Sequence, residues 1–132
     1  MSGKVVHFEI PADDMDRAKA FYSEAFGWNM MPVPEMDYTM VGTTPSNESG
    51  SPLEPGSING GMYTRNDQFP RTPVVTLDVA DIDTALAKVE QLGGKTVAPK
   101  MPVGEMGFAA YFQDPEGNVL GLWETIQTAA AE

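Results

Sequence analysis

The chain has 132 residues, with 8 basic and 19 acidic side chains, one histidine and no cysteine. A net charge of −11 argues against nucleic acid and against anionic membrane surfaces, since both need clustered Lys and Arg. The missing cysteines exclude disulfides, thiolate nucleophiles and Cys-based metal centres, and the lone His7 excludes a two-His metal site within one chain.

Residues 1–10, MSGKVVHFEI, carry no apolar run of signal-peptide length, and no later stretch reaches a membrane span, so a cytoplasmic location is expected. Alternation over 5–10 then predicts a strand. It turns Val6, Phe8 and Ile10 to one face and Val5, His7 and Glu9 to the other. Asp13 or Asp14 can cap a following helix whose Ala18, Phe21, Tyr22 and Ala25 fall at helical spacing, with Gly27 as its C-cap. Shorter strand-like runs follow near 28–33, 37–42 and 57–63. Between the last two, TTPSNESGSPLEPGS (43–57) reads as a mobile surface loop.

After a short polar linker at 64–73 the pattern returns. Val75, Leu77 and Val79 oppose Val74, Thr76 and Asp78; Asp81 can cap a helix carrying Ala85, Leu86, Val89 and Leu92; Gly93 and Gly94 end it. Strand-like runs at 95–101, 106–112 and 118–124 complete the copy, the last two joined by the turn signal Asp114-Pro115-Glu116-Gly117-Asn118. The strand portions align at an offset of 69 (Val5 with Val74, Ile10 with Val79) and the helical portions at 67 (Asp16 with Asp83, Gly27 with Gly94). The expectation is one α+β domain, 1–132, of two tandem βαβββ modules at 4–64 and 73–124. Residues 125–132 read as a frayed end or a last helical turn.

The stretches VHFEIPADDMDRAKAFYSEAFGW, LDVADIDTALAKVEQLGGK and FAAYFQDPEGNVLGLWE resemble the vicinal oxygen chelate superfamily, which includes glyoxalase I, bleomycin-resistance proteins and extradiol dioxygenases. The resemblance is to small glyoxalase-like proteins of unassigned substrate. It implies a curved mixed sheet around a cleft, with helices on the convex side, and a homodimer. Metal-dependent members hold their ion on the first and last strand of each module, and strand-by-strand alignment puts those positions near Val5, Gly60, Val74 and Gly121. None of these four side chains can ligate a metal, so no metal residue and no cofactor are assigned.

Several residues are candidates for chemistry. His7, on the polar face, reads as an acid/base or ligand-binding group, or as a satisfied polar residue. Glu9 and Asp78 occupy equivalent places in the two copies and could form a carboxylate pair or simply face water. Glu124 and Glu105 read as exposed. Glycines at the alignment's ligand positions leave space for a bulky organic molecule. Trp123, Met62, Tyr38 and Phe108 are the expected lining of an apolar pocket, Trp123 and Met62 first, because both share a face with the vacant positions. The expected function is small-molecule binding without the usual divalent ion. The alternative is a metal-dependent glyoxalase-type lyase or isomerase using His7. Neither nucleic acid nor membrane is expected as a partner.

Overall fold

A computed structural model describes residues 3–48 and 50–126. They form two compact units: Val6–Val74, and residues 75–126 joined by residues 3–5. The amino-terminal residues join the second unit through backbone hydrogen bonds: Gly3 N–H donates to Asp78 O (2.7 Å), and Asp78 N–H to Lys4 O (2.8 Å).

The first unit contains β1 (Val5–Ala12, whose first residue belongs to the second unit), α1 (Met15–Phe26), β2 (Asn29–Val33), β3 (Tyr38–Gly42) and β4 (Gly60–Thr64). A 3-10 turn over Pro34–Met36 joins β2 to β3. The strands lie in the order β2-β3-β4-β1, with β1 and β4 parallel and the other pairs antiparallel. The second unit contains β5 (Val74–Asp78, whose first residue belongs to the first unit), α2 (Ile82–Gln91), β6 (Lys95–Val103), β7 (Gly107–Gln113) and β8 (Val119–Thr125). Its order, β6-β7-β8-β5, repeats the first with β5 and β8 parallel. The internal repeat is therefore a repeat of topology, βαβββ twice. No described helix is long and apolar enough to cross a membrane.

Local chemistry accounts for the element boundaries. Asp14 Oδ1 accepts Arg17 N–H at 3.1 Å at the start of α1, and Gly27, at φ 73°, adopts the left-handed conformation that ends it. Asp81 does the same work for α2, accepting from Asp83 N–H (3.1 Å) and Thr84 Oγ1 (2.8 Å). Asp114 Oδ1 gathers the N–H groups of Glu116 and Asn118 and closes the β7–β8 turn. The 43–57 loop is tied to Asn59, which accepts from Thr43 N–H (2.8 Å) and donates to Ser46 Oγ (2.8 Å) and Gly50 O (3.1 Å). Of the carboxy-terminal tail, Thr125 closes β8, and residues 127–132 lie outside the described residues.

The two helices pack differently. α2 buries Ile82, Ala85 and Leu86 against Ala110, Phe112 and Leu122. α1 has no fully buried residue, and of its expected apolar stripe Phe21 and Ala25 turn outward. Tyr22 makes the main contact, stacking on Trp28 at 4.9 Å between centroids, and Trp28 leans on Phe8 at 5.6 Å. Val41 and Met62 form the buried centre of this unit.

Candidate functional site

Strand alternation and register decide which side chains of the first unit meet. Phe8 pairs with Gly60, Glu9 with Gly61 and Ile10 with Met62, while Met40 pairs with Gly61 across β3–β4. Paired residues share a face, so one face carries Glu9, Gly61 and Met40, with His7 and Tyr38 two positions from Glu9 and Met40. The other carries Phe8, Gly60, Ile10 and Met62. Trp28 and Tyr22 cover that second face by way of Phe8.

On the first face the side chains form a hydrogen-bonded chain. Tyr38 reaches from β3 across β4 to β1, where its hydroxyl donates to Glu9 Oε2 at 2.9 Å and lies 2.8 Å from His7 Nε2. Gly61 makes this crossing possible: a Cβ there would stand 1.9 Å from the Tyr38 hydroxyl and 2.1 Å from its ring carbon. Glu9 is buried at 9% exposure, so its carboxylate depends on such donors for solvation. Burial holds the His7 imidazole down, at about 4 instead of 6.5, so it is neutral at pH 7. Tyr63, buried nearby, has its phenol pushed well above the ordinary tyrosine range, first by burial and then by the negative charge of Glu9.

The structure unites three of the proposed residues, His7, Glu9 and Tyr38, and separates others. Met62 has 0% exposure and stands on the α1 side, opposite His7. Its grouping with the polar-face residues is corrected by a one-residue difference in register: Gly61, not Gly60, faces the same way as Glu9. In the second unit Trp123 pairs with Asp78 and Ala109, and its Nε1 donates to Thr125 Oγ1 at 3.0 Å. Phe108 pairs with Glu124 and lies on the opposite face, against the α2 core and under Lys100, whose Nζ is 4.4 Å from the ring centroid. Glu124 is structural and not exposed, as it accepts Ile82 N–H at 2.9 Å and pairs with Lys100 at 3.2 Å. Asp78 serves the backbone contacts to Gly3 and Lys4, and Glu105 lies exposed in the turn before β7. Sequence reasoning assigned Tyr38 to an apolar lining; its bridging role follows from the glycine opposite Glu9, a signal that needs the register to be read.

The alignment with metal-dependent proteins implies a divalent ion, and the donor set does not fit one. His7 Nε2 and Glu9 Oε2 are both engaged by the Tyr38 hydroxyl, and no group of three or more His, Asp or Glu side chains among the described residues could hold a metal.

Residues 4–44 match the family described as bleomycin resistance protein-like N-terminal. A glyoxylase-like domain-containing protein of Didymella fabae is 28% identical over 122 residues, which cover 89% of this chain and 91% of that protein. The methylmalonyl-CoA epimerase of Mycobacterium tuberculosis superposes with a TM-score of 0.66 at 16% identity, covering 99% of this chain and 93% of its own. A glyoxalase/bleomycin resistance protein/dioxygenase superfamily member from Vibrio splendidus gives 0.59 at 13% identity, covering 93% and 98%. At these identities the two structures speak to the fold.

Proposed function

We propose that this chain, which is similar to bleomycin resistance protein-like and glyoxalase-like proteins, belongs with them and binds a small organic molecule without the usual divalent ion, through the His7 face of its first unit. The observation that carries this reading is the Tyr38 bridge. One phenol engages the two side chains that could begin a metal site, and it fills the space that Gly61 leaves. The alternative, a metal-dependent lyase or isomerase working through His7, lacks a donor set among the described residues. The test is the metal content of protein purified without chelator, together with that of His7→Ala. Below about a tenth of an ion per chain is the expected result, since structural and catalytic sites normally retain their metal. Near-stoichiometric metal that disappears in His7→Ala would overturn the reading.

A homodimer belongs to the same proposal, and the outer surface of α1 supports it. Arg17, Ala20, Phe21 and Glu24 recur at i, i+3, i+4 and i+7, all exposed, with Phe21 at 56%. Neither Arg17 nor Glu24 has an ion-pair partner among the described residues. An antiparallel second copy would bring each Arg17 to Glu24 of the partner subunit, on either side of the paired phenylalanines. Light scattering is expected to give two chain masses for the wild type and one for Phe21→Glu. A monomeric wild type, or a dimer indifferent to that charge, would refute this interface.

A further inference from the structure

The His7–Tyr38–Glu9 chain has a direction, and the direction decides what the open end can recognise. The Tyr38 hydroxyl donates to Glu9 Oε2, so the phenolic proton points at the Glu9 carboxyl. The Tyr38 oxygen is then left to accept, and His7 Nε2 must supply the N–H across their 2.8 Å contact. A neutral imidazole with its proton on Nε2 carries a lone pair on Nδ1. That atom takes no hydrogen bond among the described residues, and since no fully buried side-chain nitrogen or oxygen there lacks a partner, Nδ1 is not fully buried.

We propose that His7 Nδ1 is the recognition point for a hydrogen-bond donor (a hydroxyl, amide N–H or amine) on a neutral or cationic organic ligand, and that it discriminates against carboxylates and phosphates. The proposal deepens the small-molecule reading and rests on it. An anion would meet the Nδ1 lone pair in front, with the phenol and the Glu9 carboxyl oxygens behind it. It could bind favourably only if the ring gained a second proton, and burial opposes that. A donor instead completes an ordered chain, ligand to Nδ1, Nε2–H to Tyr38, Tyr38 O–H to Glu9. Chains of this kind polarise in one sense and strengthen one another.

His7 is the chain's sole histidine, so its imidazole nitrogens can be read without assignment in the full-length protein labelled with 15N-histidine. At pH 7 the expected spectrum is that of a neutral ring protonated at Nε2. Titration with propylamine and with acetamide should shift the Nδ1 resonance, while acetate and inorganic phosphate should leave it in place. An Nδ1–H ring, an imidazolium, or an anion-induced shift as large as the donors' would overturn the proposal. In Tyr38→Phe the preference for one tautomer should be lost, and an unchanged tautomer would overturn the bridge as its cause. If that variant does not fold, the wild-type tautomer and titrations still decide. Metal content of the same sample separates the two readings. Stoichiometric metal overturns the metal-free function, whereas an Nδ1–H ring in metal-free protein overturns this proposal alone.

Discussion

Lowering the pH from 6.5 to 4 is expected to remove about 3 kcal/mol of folding stability through His7 alone. In the unfolded chain this imidazole titrates at its ordinary 6.5; in the folded protein burial holds it at about 4. Between those values the unfolded state binds a proton that the native state does not, so stability rises with pH across the window. The contribution is complete above 6.5, falls as the pH falls, and is exhausted near 4. Carboxylates also titrate toward the lower end, so the informative quantity is the difference between wild type and His7→Gln. Urea unfolding followed by circular dichroism at several pH values should show the two stabilities converging as pH falls from 6.5 to 4, with a flatter profile for the variant. Parallel profiles would mean that the ring is not desolvated in the native state.

Met62→Ala is expected to cost about 2–5 kcal/mol, the range for truncating a fully buried large side chain. Met62 has 0% exposure and pairs with Ile10 on one side and Thr39 on the other, both on the face that packs toward α1. Deleting its thioether leaves a cavity that strand pairing on both sides prevents from closing. The measurement is the shift in denaturation midpoint at unchanged slope. A cost below about 1 kcal/mol would place Met62 against water or a ligand-sized void, because a side chain already facing solvent loses little on truncation.

Much of the fold was legible in the chain. Period-2 alternation located β1 and β5, aspartates and glycines marked both helices, and the Asp114–Asn118 signal placed the last hairpin. Those features are local: each depends on residues within a few positions, and the same physics acts before the chain folds. The helix surfaces were less legible. Phe21 and Tyr22 satisfy the same apolar spacing, yet Tyr22 stacks on Trp28 while Phe21 points outward. Which of two adjacent apolar side chains is covered depends on the roll of the helix over its sheet, and spacing alone leaves that angle free.

For the site, the sequence by itself determined the inventory: one histidine, no cysteine, and His7 and Glu9 on one face of the first strand. A period of two requires that pairing whatever the rest of the chain does. Only the tertiary structure decided their partner. The pairing of Glu9 with Gly61 and of Phe8 with Gly60 puts Met62 on the face opposite Glu9 and leaves the path open for Tyr38. A shift of one residue between neighbouring strands exchanges every side chain between faces, and a single strand carries no record of its neighbour's register. Burial then did what composition could not, lowering the imidazole's affinity for protons and leaving the ring neutral beside the phenol that orients it.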